Sequence, residues 1–263
     1  MATVLPTHTT NDSQAAPVRR IEAADLWIAL RQGRDDFLDR RGDIVFLGLI
    51  YPLVGLVTAL VALNVDAVQF FFPLVVGISL LGPAVAAIFY EVAKRRERGE
   101  DASWRAAFRL LRSPSFDSLV TLAGLLMAVF AAWVIAAWAI YASTLGPEPP
   151  TSVAQFARDL FGTAEGWTMI VVGNLVGLFF AALALAIGVV SLPMLVDRPV
   201  SPSAALATSF RAVARNPRTM LLWGAVVVAL LVLGSIPLFV GLAVVLPILG
   251  YATWHLYTRV VER

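Results

Sequence analysis

The sequence contains no cysteine. That absence excludes disulfides, thiolate metal sites, iron–sulfur clusters and cysteine nucleophiles together. Histidine is nearly missing too: His8 lies in a polar N-terminal stretch, which leaves His255 as the one histidine in the rest of the chain. Haem b in a helical bundle takes two axial side chains, commonly two His or His with Met. An intramolecular bis-histidine haem is therefore excluded, and a His255/Met194 pair is the formal remainder. No His and carboxylate residues stand at metal-ligand spacing, so no cofactor is expected. Charge is scarce: 14% of the 263 residues are charged and 59% are hydrophobic, where soluble domains sit near ~25% and ~45–50%. Mean hydropathy is +0.80. Lysine is reduced to Lys94, against nineteen arginines. Neither a serine with a His or Lys in a triad pattern nor a glycine-rich phosphate loop occurs, and no motif supports nucleic-acid binding. These absences point away from an enzyme and towards a membrane protein.

What the chain does have is long apolar runs. Met1–Val18 is polar, with Pro, Thr and Ser and no apolar signal-peptide core, and reads as a disordered tail (residues 1–18) ahead of one membrane domain (residues 19–263). From Ile21 to Phe37, Leu26, Leu30, Gly33 and Phe37 recur on one helical face, which predicts an amphipathic helix lying in the membrane interface. Ile44–Leu63 is twenty residues without a charge, enough to cross a hydrocarbon core of roughly 30 Å at about 1.5 Å per residue. Asn64-Val65-Asp66 is a turn, and Phe70–Tyr90 is the second span. Trp104, Phe108 and Leu111 mark a short amphipathic helix that Ser113-Pro114 breaks, because a residue before proline is pushed out of the α region. Leu119–Tyr141 is the third span, Val153–Phe161 a surface helix and Trp167–Val196 the fourth span. The fourth is longer than one crossing needs, so tilt, an interfacial first turn or a kink at Pro193 is expected. Ser201-Pro202-Ser203 opens another amphipathic helix and Asn216-Pro217 closes it. Met220–Tyr257 is too long for one helix; Gly234-Ser235-Ile236-Pro237 divides it into a fifth and a sixth span, crossing fully or as a re-entrant hairpin. The expected fold is an all-α polytopic bundle of six transmembrane helices with three short interfacial amphipathic helices.

The basic residues orient it. Six precede the first span, seven lie in the loop after the second, four in the loop after the fourth and two follow the sixth, against Arg158 alone on the other side. The positive-inside rule then puts both termini in the cytoplasm and the protein in the inner membrane. Aligning Gly48 with Gly224 places Leu30 on Leu206 and Phe37 on Val213 without a gap. Gly77–Pro83, Gly188–Pro193 and Gly241–Pro247 are also alike. These matches predict a threefold internal repeat, with units near 19–98, 99–198 and 199–263, each an interfacial helix and a two-span hairpin.

Pro193, Met194, Asp197, Arg198, Asn216 and Pro217 stand at the junction between the second and third units, as a cytoplasmic hinge or docking surface. Arg105, Arg109 and Arg112, with Arg211, Arg215 and Arg218, would lie at the headgroups of anionic lipids, each worth about 1 kcal/mol of attraction. Asn174 and Ser191 could hydrogen-bond across helices, and Gly173 with Gly177 forms a G-x-x-x-G. His255, Trp254 and Tyr257 read as part of an interfacial aromatic belt.

SLPMLVDRP (Ser191–Pro199), RNPRTMLLWG (Arg215–Gly224) and VVLPILGYATWHLY (Val244–Tyr257) resemble a family of uncharacterised bacterial integral membrane proteins. FLGLIYPLVGL (Phe46–Leu56) and LLGP (Leu80–Pro83) extend the resemblance, which covers Arg19 to Arg259. The family is a domain of unknown function, and some members carry the label putative cytochrome c oxidase subunit. The resemblance implies a non-catalytic accessory subunit or assembly factor of a membrane complex, such as a respiratory oxidase. Repeats favour the other reading, a transporter of a small apolar or lipid-like substrate. The topology is directly testable in this cysteine-free background. Single Ser152→Cys and Ser203→Cys variants should react with a membrane-impermeant maleimide from opposite sides; labelling from one side would refute six spans.

Overall fold

The computed structural model describes residues 16–39, 53, 71–148, 152–237 and 240–263. The expected tail up to residue 15, and the first span with its Asn64–Asp66 turn (Leu53 apart), lie outside the described residues. The helices in chain order are α1 (Ala23–Asp39), α2 (Phe71–Glu97), α3 (Trp104–Ala107) with a 3-10 turn (Phe108–Arg112), α4 (Phe116–Thr144) and α5 (Val153–Gly162). They continue as α6 (Ala164–Gly188), α7 (Ser191–Asp197), α8 (Pro202–Arg215), α9 (Pro217–Ser235) and α10 (Leu242–Val260). There is no strand among the described residues, only an isolated bridge between Val18 and Val261. Three of these stretches are long and apolar enough to cross a membrane: α4, α6 running on through α7 to Asp197, and α9.

Local chemistry explains the ends. The Ser152 side chain accepts the Gln155 N–H at the start of α5, Thr163 accepts that of Gly166 at the start of α6, and Ser201 accepts that of Ala204 with Pro202 in the first turn of α8. Each satisfies a donor that the helix itself leaves open. Pro217 begins α9, where its missing N–H costs nothing. The long fourth span does bend near Pro193. A proline in a continuous helix clashes with the carbonyl four residues back, here that of Val189. The chain turns at Val189–Val190 and restarts as α7, so Pro193 sits in a first turn. Pro247, its proposed counterpart in the repeat, lies instead inside the unbroken α10.

The core is concentrated at one end of the bundle. Phe89 near the end of α2, Val190 after α6, Leu195 in α7, Trp223 near the start of α9, and Trp254 and Tyr257 near the end of α10 are all essentially inaccessible. Along the remaining length the spans are bare: 11% of the best apolar window of α4 and 17% of that of α9 is buried within the chain. The broadest packing is α1 on α10 and α4 on α6, with α2 and α9 also against α10. Helix α10 is thus the central helix. Its Trp254, His255 and Tyr257 do not form a lipid-facing belt, since Trp254 and Tyr257 are wholly buried by protein.

The two other amphipathic helices turn their faces differently from α1. In α8 the buried residues are Ala204, Ala205, Thr208, Ser209 and Ala212, while Phe210, at helical spacing from Leu206 and Val213, is 45% exposed. Around the 3-10 turn, Ala106, Ala107 and Leu110 are buried and the marked Phe108 and Leu111 are exposed. Small residues allow close seating on the protein, which leaves the large apolar side chains to face outward, as an in-plane membrane helix requires. α1 buries the predicted Leu26, Gly33 and Phe37, but against α10 rather than lipid.

Two glycines set how closely helices approach. A Cβ on Gly33 would stand 2.6 Å from the Ala252 nitrogen and 2.7 Å from the Ile248 oxygen, so α1 and α10 touch backbone to backbone. A Cβ on Gly250 would stand 2.8 Å from Phe89 Cβ, on the α2 side. Gly173 of the G-x-x-x-G has nothing within 4 Å, so that motif does not serve as a close-approach site here. Gly33→Ala must push two helices apart, and overpacking of this kind costs about 1–3 kcal/mol. A lowered Tm in detergent is expected for Gly33→Ala, with Gly173→Ala unchanged or slightly raised through its helix propensity. Equal Tm values would refute the α1–α10 contact.

Candidate functional site

The charged end of the bundle is where the chemistry-bearing residues meet. Helical spacing places Lys94 and Arg95 three and four residues after Glu91, on one face of α2. Glu91 is 4% exposed. Its two oxygens meet the Lys94 ammonium at 2.5 Å and the Arg95 Nε at 2.7 Å. A carboxylate this buried persists as an ion only when paired. The Lys94 ammonium also donates to the Val196 carbonyl at 2.7 Å, in the last turn of α7, where a helix end attracts positive charge. The sole lysine thus ties α2 to α7.

Asp197 is a second hub, its side chain 8% exposed. It accepts the Tyr257 hydroxyl at 2.9 Å and pairs with Arg263 Nε at 3.4 Å and an Arg98 nitrogen at 3.5 Å. Arg263 continues the network: it lies 4.9 Å over the Trp254 ring and donates to Glu97 at 2.8 Å. The Trp254 indole N–H donates to the same carboxylate at 3.2 Å. On the other side of α10, Asp36 of α1 meets His255 Nε2 at 2.7 Å and Arg96 Nε at 3.2 Å. Burial pulls the Arg96 pKa down, but its hydrogen bond to Asp39 and the two α1 carboxylates outweigh that and raise it overall.

The sequence-predicted residues divide accordingly. Pro193 and Met194 are buried in the core and offer no docking surface. Asp197 and Arg198 lie at the junction but face inward, into the network and towards the Glu262 carbonyl that Arg198 reaches at 3.3 Å. Asn216 is a clamp: its oxygen accepts the Ile21 N–H at 2.9 Å and its amide donates to the Arg19 carbonyl at 3.0 Å. Together with the Arg19 N–H on the Val260 carbonyl at 2.7 Å, it straps the segment before α1 to the bundle. All six expected headgroup arginines are exposed. Arg109, Arg112, Arg215 and Arg218 make no ion pair among the described residues. Asn174 bonds the Ile170 carbonyl of its own helix, and Ser191 at the start of α7 bonds the Ile187 carbonyl in the last turn of α6, so both bonds stay within the fourth apolar run. The Asp36–His255 contact and the Glu91 triplet were not singled out from sequence. The i, i+3, i+4 pattern around Glu91 is a readable signal; nothing local couples residues 36 and 255.

Two hollows accompany this network. One, of about 320 Å³, lies at the charged end beside Arg109, Ser113 and Arg198. The other, about 430 Å³, is an apolar groove between α4 and α6, lined by Leu126, Met127, Phe130, Trp133, Gly177 and Phe180 among others. No group of three or more His, Asp or Glu capable of holding a metal occurs among the described residues.

Residues 71–197 match the model of a family described as predicted integral membrane protein (DUF2189). The matched stretch runs from the first residue of α2 to the last of α7, and so includes Glu91, Lys94, Ser113 and Asp197 but neither α1 nor α10. It is narrower than the resemblance over Arg19–Arg259. No curated protein and no solved structure matches the chain.

The clamp has a measurable consequence. Asn216→Ala strands the buried Ile21 N–H and releases the part-buried Arg19 carbonyl, at a cost of about 1–3 kcal/mol. Limited trypsinolysis after Arg19 and Arg20 should accelerate in this variant; wild-type resistance in the variant would show that the strap holds without Asn216.

Proposed function

We propose that this chain, whose residues 71–197 carry a domain of predicted integral membrane proteins, is a non-catalytic accessory subunit or assembly factor of a larger membrane complex. The observation that carries this reading is the bare flank of α4. Trp133 and Trp138 are 40% and 62% exposed, with Ile135 between them at 66%. Trp133 lies near the middle of the 29-residue α4, away from the interfacial belts that tryptophan prefers in lipid. Its indole nitrogen faces the groove, 3.8 Å from where a Cβ on Gly177 would sit. Hydrocarbon provides no acceptor for such an N–H, whereas a partner helix with a polar side chain does. Large aromatics at the centre of a surface are also what protein interfaces favour.

In this reading the chain crosses the inner membrane six times, with both termini cytoplasmic. Supporting it are the concentration of arginine at the charged end, the isolation of Arg158 in α5 at the opposite end, and the hairpin of α9 and α10. At that hairpin a Cβ on Gly241 would stand 2.7 Å from the Gly234 oxygen. At about 1.5 Å per residue, the 19-residue α9 reaches close to the ~30 Å of a hydrocarbon core. The threefold repeat remains part of the proposal on its sequence correspondences. The outward Phe108, Leu111 and Phe210, with arginines beside them, suit in-plane anchorage among anionic lipids.

The groove itself favours a second reading, transport or carriage of an apolar or lipid-like substrate. Its volume of about 430 Å³ falls in the ~300–1,000 Å³ range of small-molecule sites. The experiment is purification from native membranes in mild detergent, followed by mass spectrometry. A stoichiometric membrane partner that is lost in Trp133→Ala without a fall in Tm is expected. A solitary chain would overturn the subunit reading, and expression-dependent uptake of an apolar substrate would then establish the other.

A further inference from the structure

The hollow of about 320 Å³ at the charged end lies where the last turns of α2, the 3-10 turn and the exit of α7 converge. Its wall carries four cations, Lys94, Arg95, Arg109 and Arg198, and two carboxylates, Glu91 and Asp197. Both carboxylates are already engaged. Glu91 is held between Lys94 and Arg95; Asp197 takes Arg98, Arg263 and the Tyr257 hydroxyl. The charge left over is positive. Arg109 has no ion pair or hydrogen bond among the described residues. Arg198 meets no carboxylate there either, donating instead to the neutral Glu262 carbonyl at 3.3 Å.

Two residues of the same wall also hold buried donors with no acceptor: the Ser113 hydroxyl and the Arg198 Nε–H. Ser113 is extended, with φ −78° and ψ 154°, because Pro114 follows it. Buried polar groups in native proteins are as a rule satisfied, so donors left open at a cavity wall call for a ligand or water that accepts. A carboxylate offers two acceptor atoms in one plane. A phosphate offers three or more, arranged tetrahedrally, and matches the planar fork of arginine. We propose that this hollow binds the phosphate group of an anionic phosphoester, with Arg109 and Arg198 as its cationic clamps and Ser113 as a hydroxyl donor. Ser115, also in the wall, immediately precedes α4, so the site sits at the level where a span enters the headgroups. The phosphate arrives there either on a membrane lipid or on a soluble phosphate ester.

The test uses the full-length protein in phosphatidylcholine nanodiscs, read by thermal shift and native mass spectrometry. One arm adds inorganic phosphate or glycerol 3-phosphate; the other adds phosphatidylglycerol to the disc. Wild type should gain Tm and retain the anion. Arg109→Gln/Arg198→Gln should bind about tenfold more weakly or worse. The exposed, equally charged pair Arg20→Gln/Arg31→Gln, outside the wall of the hollow, should stay within about twofold of wild type. Ser113→Ala removes an unsatisfied hydroxyl, so it should keep the ligand-free Tm while shrinking the ligand-induced shift. Response to phosphatidylglycerol alone assigns the phosphate to lipid, and response to both arms shows that the group itself suffices. Absence of binding in both arms, or equal weakening by the two arginine pairs, overturns the site. Should the Arg109/Arg198 variant not fold, Ser113→Ala decides: an undiminished ligand shift in it rejects the proposal.

Discussion

Two carboxylates largely withdrawn from water organise this molecule. Glu91 and Asp197 are withdrawn into the protein at the charged end, and each is tolerable only with cations and hydroxyls at hydrogen-bond distance. Meeting that requirement draws in parts of the chain far apart in sequence. Lys94 and Arg95 come from α2, the Val196 carbonyl from α7, Tyr257 from α10, and Arg263 from the segment after it. The helices are therefore fastened at one end, and much of their apolar length beyond it is left bare by the chain itself. In water such a shape would be untenable; in a bilayer the uncovered length is where lipid or another protein belongs.

The same constraint explains why chemistry and packing coincide here. A pairing network of this density works only if the helices carrying it come close, and Gly33 and Gly250 permit that on two sides of α10. Trp254 and Tyr257 then cover the network from the hydrocarbon, with Arg263 lying across their rings. Removing water from around these charges strengthens each pairing, and leaving any of them unpaired becomes correspondingly costly.

Helix boundaries were legible in the sequence because they are local events. Ser201-Pro202, Asn216-Pro217, Ser113-Pro114 and the Gly234–Pro237 turn all fall at or within a residue or two of the observed ends. The face that α1 buries was readable for the same reason. Other features depend on what lies outside the helix in question. A helix that is apolar all round is equally suited to lipid or to a protein interior, so Trp254 and Tyr257 of α10 read as an interfacial belt when they are buried by protein. The stripes through Phe108 and Phe210 were visible, but whether protein or membrane received them was not. The ligand set of Asp197 and the contact between Asp36 and His255 join residues up to 219 positions apart, and no periodicity records such a meeting. What could be anticipated at the charged end was its charge, and what could not was which partners each residue would find.

The close seating of α1 on α10 also bears on how the protein is made. Asp25 meets Arg259 across a separation of 234 residues, so α1 leaves the ribosome long before its partner exists. Throughout that interval the face carrying Leu26, Gly33 and Phe37 has no cover from α10, and the carboxylates of Asp25 and Asp36 have neither Arg259 nor His255. An amphipathic face left open in this way suits a membrane surface for as long as α10 is missing. Once α10 exists, the same face is spent on protein, buried against its backbone.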